Sequence, residues 1–363
     1  MTSDLITIAI DAMGGDYAPT ATVAGAVEAM EYEDLRVLLV GDRSQLQVEL
    51  AKRCYDPSRI EIVHASERVD MGENPARAMR RKKDASAVVA ARLVKNGQAT
   101  GLVNAGNTGA AMSIALLVIG RIKGVDRPPI CSYIPSRSGK VLLLDAGANV
   151  NCKPEQLLKF AIMGDIFSRA VTGKERPRVG LLNIGGEEGK GDDLTVATYD
   201  LLNKSDLNFI GNIEGNEIFT GQTDVVICDG FAGNVVLKVA EGMADFIVSS
   251  IRNEFKHRPL ALLGAPFFLP PINAFKRKVD YKEYGGALLL GINGVCVIAH
   301  GRSDAKAIKN ALRVARDAAA QDVVGRISRV VGKNPEPEES KGSEEEREEH
   351  HHKAPDLTKE EVL

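Results

Sequence analysis

Glycine and asparagine residues follow short apolar runs at several points in this chain, an arrangement suited to binding an anion. Between Asp224 and Lys238 the sequence DVVICDGFAGNVVLK predicts a strand, a turn with two glycines, and a helix that carries Asn234 near its start. A helix N-terminus offers unpaired N–H donors and the positive end of the helix dipole. One such turn is weak evidence, because glycines there also serve ordinary turn geometry.

Four further turns have a similar composition. They read DAMGGD, AGNTG, DAGAN and GGEEGKG, and they follow the apolar runs at 6–10, 101–104, 141–144 and 179–184. In a parallel sheet the loops at the carboxyl ends of the strands gather at one edge, so we expect the five turns to form a single crevice. Each turn alone could equally be a plain connector, but five together favour a binding site.

Apolar runs of strand length alternate with helix-length stretches from residue 5 to about residue 330. The runs lie near Val37, Ile60, Val103, Leu142, Leu181, Phe209, Val226 and Val295. This alternation predicts a three-layer, Rossmann-like α/β/α fold with a mostly parallel sheet and helices on both faces. We expect one domain over residues 1–332, followed by a disordered acidic tail at 333–363, where apolar residues almost disappear.

Composition narrows the classes of function. The formal charge is −3, but five Lys/Arg against eleven Asp/Glu after Gly332 leave the preceding residues at +3, which permits a modest basic patch. The chain has no tryptophan and only 5% aromatic residues, which argues against nucleic-acid stacking platforms. Five dispersed cysteines and the absence of a signal peptide indicate a reduced cytoplasm. No spacing indicates a metal site.

A basic segment is predicted to form a helix from Asn74 to Lys95. Its basic residues are Arg77, Arg80, Arg81, Lys82 and Lys83. We expect this cluster to be a docking face for an acidic partner, with 276–278 as a second choice. A solvated helix face is the plainer alternative.

A second segment, residues 259–275, is strongly apolar and has basic residues on both sides. Its four prolines exclude a continuous spanning helix. We interpret the insertion at about 256–278 as a membrane-facing wedge. Its contact residues would be Leu260, Leu262, Leu263, Phe267, Phe268 and Leu269. An anionic membrane surface suits an apolar wedge with cationic flanks. A dimer interface or a loop that covers the core is the alternative.

Seven segments between residues 5 and 330 carry a family resemblance. They read IAIDAMGGDYAP, RRKKDASAVVAA, NAGNTGA, LLNIGGEEGKGDD, GNIEGNEIF, DVVICDGFAGNVVLK and YGGALLLGINGVCVIAHG. Together they resemble the bacterial phosphate acyltransferases, which are the acyl-acyl carrier protein:phosphate acyltransferases of phospholipid synthesis. The resemblance implies a fold like that of isocitrate and isopropylmalate dehydrogenases and phosphotransacetylases, a homodimer, and peripheral association with the inner face of the cell membrane.

The implied reaction is attack of inorganic phosphate on an acyl thioester. Phosphate is already an anionic nucleophile and a thiol leaves readily, so the enzyme must mainly position phosphate and stabilise the oxyanion. We expect the backbone of Gly106, Asn107, Thr108 and Gly109 to cradle phosphate. Lys190 and Lys238 would supply positive charge, and Asn183, Asn234 and His300 would orient polar groups. The residues expected to organise the loops are Asp11, Gly14, Gly15, Asp16 and Asp229.

The expected partners are acyl carrier protein, inorganic phosphate, an anionic membrane surface and a downstream glycerol-3-phosphate acyltransferase, with no cofactor and no nucleic acid. Cys228 invites a covalent acyl-enzyme interpretation, but it ends an apolar strand and is expected in the core. Two alternatives stay open: a nicotinamide-dependent decarboxylating dehydrogenase of the same fold, and a non-catalytic membrane scaffold for lipid synthesis. The Gly14-Gly15 turn does not match the dinucleotide fingerprint.

Overall fold

A computed structural model describes residues 5–70, 72–73, 80–257, 270, 274–275 and 283–332. These residues form a sheet of eleven strands. The strands are β1 (Ile6–Asp11), β2 (Leu35–Gly41), β3 (Ile60–His64), β4 (Gly101–Asn104), β5 (Ile130–Ser136), β6 (Gly139–Leu144), β7 (Val179–Leu182), β8 (Phe209–Ile213), β9 (Val225–Ile227), β10 (Ala287–Leu289) and β11 (Val295–Ile298).

The described helices lie on both faces of this sheet. They are α1 (Thr20–Glu28), α2 (Arg43–Ala51), α3 (Ser86–Lys95), α4 (Thr108–Ile114), α5 (Pro154–Thr172), α6 (Asp193–Asn203), α7 (Gly230–His257), α8 (Ala305–Ala320) and α9 (Val323–Val331). A π-helical turn at Ala115–Ile119 continues α4. The predicted α/β/α fold is confirmed, and each of the eight apolar runs lies in a strand.

Two apolar cores lie on opposite faces of the sheet. One contains the largest buried side chains, Phe160 and Phe167 of α5, together with apolar residues of α1, α8 and α9. The other packs α3 and α4 against the sheet, and α7 joins it through Val236 and Leu237. Alternation along β5 divides its side chains between them, because Cys131 belongs to the first core and Ile134 to the second.

The sheet consists of two parallel halves that run in opposite directions. The strand order is β3-β2-β1-β4-β11-β10-β5-β6-β9-β7-β8. Strands β1 to β4 and β11 are parallel to one another, and β6 to β9 are parallel to one another. Between them, β10 pairs antiparallel with both β11 and β5, and β5 pairs antiparallel with β6. The strands on one side of the centre of the sheet therefore run in the opposite direction to the strands on the other side.

This reversal contradicts the prediction that all five turns lie at one edge. The turns after β1 and β4 lie at one edge, whereas those after β6, β7 and β9 lie at the opposite edge. The prediction was wrong because it assumed one strand direction throughout, and the antiparallel strands β5 and β10 were not anticipated.

Two helix boundaries also differ from the predictions. The helix expected from Asn74 to Lys95 is interrupted: Arg80 and Arg81 are helical, but the next helix begins only at Ser86. Ala85 is extended, and the Asp84 carboxylate accepts hydrogen bonds from the backbone and hydroxyl of Ser66. Helix α7 begins at Gly230, so both glycines expected in the preceding turn lie within the helix.

Several predictions fall on residues that the structure does not describe. Arg77, the contact residues Leu260, Leu262, Leu263, Phe267, Phe268 and Leu269, and the tail at 333–363 lie outside the described residues. None of the helices that the structure describes is both long enough and apolar enough to cross a membrane.

Candidate active site

The buried carboxylate of Asp11 ties the turn after β1 to the turn after β4. It accepts hydrogen bonds from the Ser86 hydroxyl at 2.5 Å, the Met13 N–H at 3.2 Å and the Asn104 amide at 3.1 Å. The Asn104 side chain in turn accepts from the Gly106 N–H at 2.7 Å. Burial raises the pKa of Asp11, and these donors oppose the shift. Asp11 therefore joins the two turns.

Gly14 and Gly15 allow the same turns to approach closely. A Cβ on Gly14 would lie 2.6 Å from the Asp11 carboxylate and 3.0 Å from the Gly106 nitrogen. Gly15 has a φ of +103°, a backbone conformation that residues other than glycine rarely adopt. Next to it, the Asp16 N–H donates to the Gly301 carbonyl at 2.8 Å. The turn after β11 thereby joins the first two.

Helix α4 begins within this cluster. The Asn107 side chain caps it by accepting from the Ala110 N–H at 3.0 Å. Thr108 and Gly109 are exposed, and N–H groups in a first helical turn lack intrahelical acceptors. The predicted phosphate-binding residues therefore stand together at a helix start.

A second cluster surrounds Asp145 at the turn after β6. This fully buried carboxylate accepts hydrogen bonds from the backbone of Ile130, Gly147 and Ala148 at 3.0 to 3.1 Å. Asn149 adds its backbone N–H at 2.6 Å and its amide at 2.8 Å. Burial raises the pKa of Asp145, while the donors favour the ionised form. Asp145 organises this turn although the sequence analysis gave it no role.

The start of α7 packs directly on the Asp145 turn. The Gly230 N–H donates to the Asn149 carbonyl at 2.7 Å, and a Cβ on Gly233 would overlap the Asp145 carbonyl oxygen. The Asp229 carboxylate accepts from the Ala232 N–H at 2.8 Å. A Cβ on Gly147 would lie 3.4 Å from the Cβ of Asn234. The glycines of this motif thus serve close packing that positions Asn234.

A cavity of about 1020 Å³ joins the two clusters. Thr108, His300 and Ser303 line it from the first cluster, and Gly147 and Asn234 line it from the second. Most of the remaining lining comes from two elements. Strand β5 and the residue that follows it contribute residues 130 and 132–137, and α7 contributes residues 234–241, 243, 244 and 247.

The strand register explains how turns at opposite edges share one cavity. Asn104 pairs with Ile298, which pairs with Ala287. Leu288 pairs with Cys131, so Ser132 lies beside Ala287. The carboxyl ends of β4 and β11 are therefore level with the middle of β5 rather than with its end. Predicted residues from both edges meet over the central antiparallel strands.

Several polar side chains that line the cavity are free to bind a ligand. Thr108, Ser132, Asn234 and Ser303 line it, and their side chains make no hydrogen bond to any residue that the structure describes. Ser303 is only 5% exposed. Polar groups in such a position favour a ligand that supplies the missing partners.

The comparisons with known proteins agree with this geometry. The family described as fatty acid synthesis protein matches residues 6–326. A phosphate acyltransferase from Pelotomaculum thermopropionicum is 52% identical over 310 residues, covering 85% of this chain and 90% of that protein. One from Heliobacterium modesticaldum is 51% identical over 331 residues, covering 91% and 99%. This chain belongs to the phosphate acyltransferase family.

Members of this family are acyltransferase enzymes, and the fold has solved counterparts. A phosphotransacetylase from Streptococcus pyogenes superimposes with a TM-score of 0.60 at 15% identity, covering 87% of this chain and 94% of that one. At that identity the likeness establishes the fold alone. It confirms the phosphotransacetylase-like architecture that the resemblance implied.

The two predicted lysines of this acyltransferase differ in position. Lys238 lines the cavity and pairs with Glu241 at 2.8 Å. Lys190 is exposed in the turn after β7 and is not among the cavity-lining residues. Asn183 shapes that turn, because its amide donates to the Lys190 carbonyl at 2.8 Å and its oxygen accepts from Ile184. The structure therefore brings Lys238, but not Lys190, to the cavity wall.

His300 and Cys228 have different environments in the acyltransferase. His300 lines the cavity, and its Nδ1 accepts from the Arg302 N–H at 3.1 Å. Cys228 is buried beneath the start of α7, and burial raises the pKa of its thiol well above the ordinary value. A thiol in this state is a poor nucleophile, in agreement with its expected place in the core.

The basic cluster is only partly available for docking. Arg80, Arg81 and Lys83 are exposed. Lys82 is half-buried and donates to Glu73 at 2.6 Å, and this contact raises its pKa. Lys82 therefore stabilises its own loop, and the free positive charge belongs to the other three residues. Among the residues that the structure describes, no three His, Cys, Asp or Glu side chains are grouped to bind a metal ion.

Sequence reasoning missed the residues that complete the site. Asn104 ends β4 and Asp145 directly follows β6, and that position was a signal of function. The contacts of Asn104 with Asp11 and of Asp145 with Ile130 join residues that are distant in sequence. Ser132 and Ser303 carried no signal at all. Ser132 lies in a strand that was not anticipated, and Ser303 lies at the start of a helix with no glycine motif.

Proposed function

We propose that this chain transfers the acyl group of an acyl-acyl carrier protein to inorganic phosphate, which yields acyl phosphate and free carrier protein. The observation that carries this proposal is about 50% identity to phosphate acyltransferases over nearly the whole chain. The cavity supports it, because unpartnered polar groups and a helix start adjoin an apolar groove. A phosphorylated head and an acyl tail need both kinds of surface.

The reaction requires little acid–base machinery. A phosphate oxygen attacks the thioester carbonyl carbon and forms a tetrahedral oxyanion, which collapses as the carbon–sulfur bond breaks. The sulfur leaves as a thiolate and then takes a proton from solvent, since a thiol has a pKa of about 8.5. The protein must align phosphate with the carbonyl and stabilise the oxyanion.

We assign these tasks to the groups that surround the cavity. The N–H groups of Thr108 and Gly109, with the Thr108 hydroxyl, would bind phosphate at the start of α4. Lys238 would supply the nearby positive charge, and Lys190 is the second candidate. Asn234 and Ser303 would donate to the thioester oxygen as negative charge develops there.

Recognition of the carrier and delivery of the product are further parts of the proposal. Arg80, Arg81 and Lys83 would receive the acidic carrier protein. The apolar insertion at about 256–278 would hold a homodimer at the anionic inner face of the cell membrane. Acyl phosphate would pass to a glycerol-3-phosphate acyltransferase for phospholipid synthesis. The cytoplasmic, peripheral location follows from this arrangement.

The test is to incubate the protein with a long-chain acyl carrier protein, with and without phosphate, and to trap product with hydroxylamine. Phosphate-dependent acyl hydroxamate with release of carrier thiol is the expected result. Thr108→Val should lower this turnover while the fold is retained. Hydroxamate that forms equally without phosphate would contradict the proposal and leave the dehydrogenase and scaffold alternatives to be tested.

A further inference from the structure

The cavity has the form of a groove whose floor is strand β5 and whose wall is helix α7. Ile130, Ser132, Ile134 and Ser136 alternate along the strand toward α7, and they span about 20 Å at about 3.3 Å per residue. Along the wall, Asn234 and Ile247 are separated by about 20 Å at about 1.5 Å per residue. The groove is therefore as long as an extended chain of many methylene groups.

The polarity of the wall changes along α7. Asn234 stands near the Asp145 turn, where the unpartnered polar groups begin. Past Lys238, one charged residue of α7 lines the cavity, and this is Glu241, which is paired with Lys238. The other cavity-lining residues of this part of α7 are apolar: Val239, Ala240, Met243, Ala244 and Ile247. Phe219 and Phe275 also line the cavity. A ligand with a polar head at Asn234 and an apolar tail toward Ile247 would match both the polar and the apolar portion of this wall.

We propose that the acyl chain of the thioester lies in this groove along α7, and that Ala240 and Ala244 leave the width that long chains need. This inference rests on the proposed acyl transfer, and it adds the path of the chain and the residues that set its length. The thioester carbonyl lies near Asn234, and the methyl end points toward Ile247.

The dimensions of the groove predict which chains it accepts. A carbon–carbon bond of about 1.5 Å advances an extended chain by about 1.3 Å, so the 20 Å of the wall accommodate about 15 carbons. Ala240 and Ala244 stand about 9 and 15 Å from Asn234 along the helix. A large side chain at Ala240 should stop the chain after about 7 carbons, and one at Ala244 after about 11.

The test measures kcat/KM for acyl carrier donors of about 6, 10 and 14 carbons, lengths chosen from these distances. Wild type should use all three. Ala244→Phe should use the two shorter donors, and Ala240→Phe only the shortest. Each excluded methylene lowers affinity about four-fold, so the roughly three excluded methylenes lower kcat/KM for the shortest excluded donor by about sixty-fold. Asp245→Phe is the matched control, because Asp245 is exposed on the same helix and does not line the cavity.

Several outcomes would overturn the inference. If the folded variants lose all three donors equally, or if both keep the same length limit, the chain does not follow α7. If Ala244→Phe changes the mass of the protein in solution and leaves chain length unaffected, the groove is an interface between copies.

A failure of the proposed function would look different, since wild type would then give no phosphate-dependent hydroxamate with any donor. In that case the binding of myristic acid, a fatty acid whose chain length lies within the limit of the wild-type groove, is measured by calorimetry and decides the path separately. The groove is supported if the fatty acid binds to wild type and to Asp245→Phe but not to Ala240→Phe or Ala244→Phe. Absence of binding to wild type overturns it.

Discussion

Asn149 binds the carboxylate of Asp145 twice, through its backbone N–H at 2.6 Å and its side-chain amide at 2.8 Å. With the backbone donors of Ile130, Gly147 and Ala148, this fixes the turn on which the start of α7 rests. The position of Asn234 therefore depends on a carboxylate that does not line the cavity.

Replacing Asp145 with Asn should destabilise the protein strongly. The new NH₂ group would face N–H donors, and each buried donor left unpaired costs about 1–3 kcal/mol. We expect the free energy of unfolding in urea to fall by about 3 kcal/mol or more. Asp42→Asn is the control, because Asp42 caps an exposed helix start where Asn caps about as well, so stability should change little. Equal losses in the two variants would contradict this account.

Gly233→Ala should disrupt the contact between α7 and the Asp145 turn. Its Cβ would overlap a backbone carbonyl oxygen, which cannot rotate away as a side chain could. Melting temperature and acyl transfer should both fall. Gly242→Ala is the matched control on the same helix, since nothing lies within 4 Å of its Cβ position. It should leave activity unchanged and raise stability by up to about 1 kcal/mol. Destabilisation by Gly242→Ala as well would show that helix α7 tolerates no substitution.

The salt bridges of Asp224 should make stability depend on acid pH. Burial alone would raise the pKa of Asp224, but hydrogen bonds from Arg178 and Lys174 outweigh it and lower the pKa to about 2. The stabilisation is therefore present above the unfolded pKa of about 3.9 and is lost as the pH falls toward 2. Asp224→Asn should lower the free energy of unfolding by about 2 kcal/mol at pH 7.

Urea unfolding of wild type and Asp224→Asn between pH 7 and pH 3 measures this effect. The difference between the two proteins should shrink below pH 4. Glu61→Gln breaks the exposed pair with Arg36 and should change stability by less than about 1 kcal/mol. A difference for Asp224→Asn that stays constant with pH would rule out the ionic explanation.

Lys238→Ala should weaken the use of phosphate more than Lys190→Ala does. Lys238 lines the cavity, whereas Lys190 does not. Loss of a hydrogen bond to a charged group costs about 1.5–3 kcal/mol, which corresponds to roughly 10- to 200-fold in kcat/KM for phosphate. Lys238→Arg should keep much of the activity. A larger effect of Lys190→Ala would place phosphate nearer the turn after β7.

Reversing the charge of Arg80 and Arg81 to Glu should raise KM for the carrier-bound donor and flatten its salt dependence. The KM for phosphate should not change, because neither residue lines the cavity. Lys82→Ala is the comparison, since its charge is already paired within the loop. Lys82→Ala should lower the stability of the protein and leave the KM for the carrier-bound donor almost unchanged. An unchanged KM in the double Arg variant would remove the docking assignment.

The sequence predicted the fold from local patterns, and it failed where direction depends on distant pairing. Apolar runs with turn residues marked nine of the eleven described strands. Strand β5 escaped because Pro135 interrupts its pattern, and β10 is only three residues long. The sequence of neither segment indicates that the strand pairs antiparallel with its neighbours. Missing these two strands placed the five turns at one edge instead of two.

The candidate site was predictable in type but not in its connections. Helix starts with Asn107 and Asn234 were visible from turn composition, and both reach the cavity wall or its rim. The contact between Asp11 and Asn104 joins residues 93 positions apart, so no spacing rule could reveal it. The segment from Asn74 to Lys95 has helical composition throughout, but the helix is interrupted between Arg81 and Ser86, where Asp84 contacts Ser66.

Burial of the cysteines affects whether the product of the proposed reaction can acylate the protein that makes it. Acyl phosphates acylate thiolates, so an enzyme that makes them risks modifying itself. Cys131, Cys228 and Cys296 are buried, and burial raises the pKa of each thiol. Cys152, nearer the surface, has a pKa raised to about 11. At neutral pH these four sulfurs are almost wholly protonated, so a reactive product finds few thiolates among them before it departs, and the exposed cysteine is Cys54.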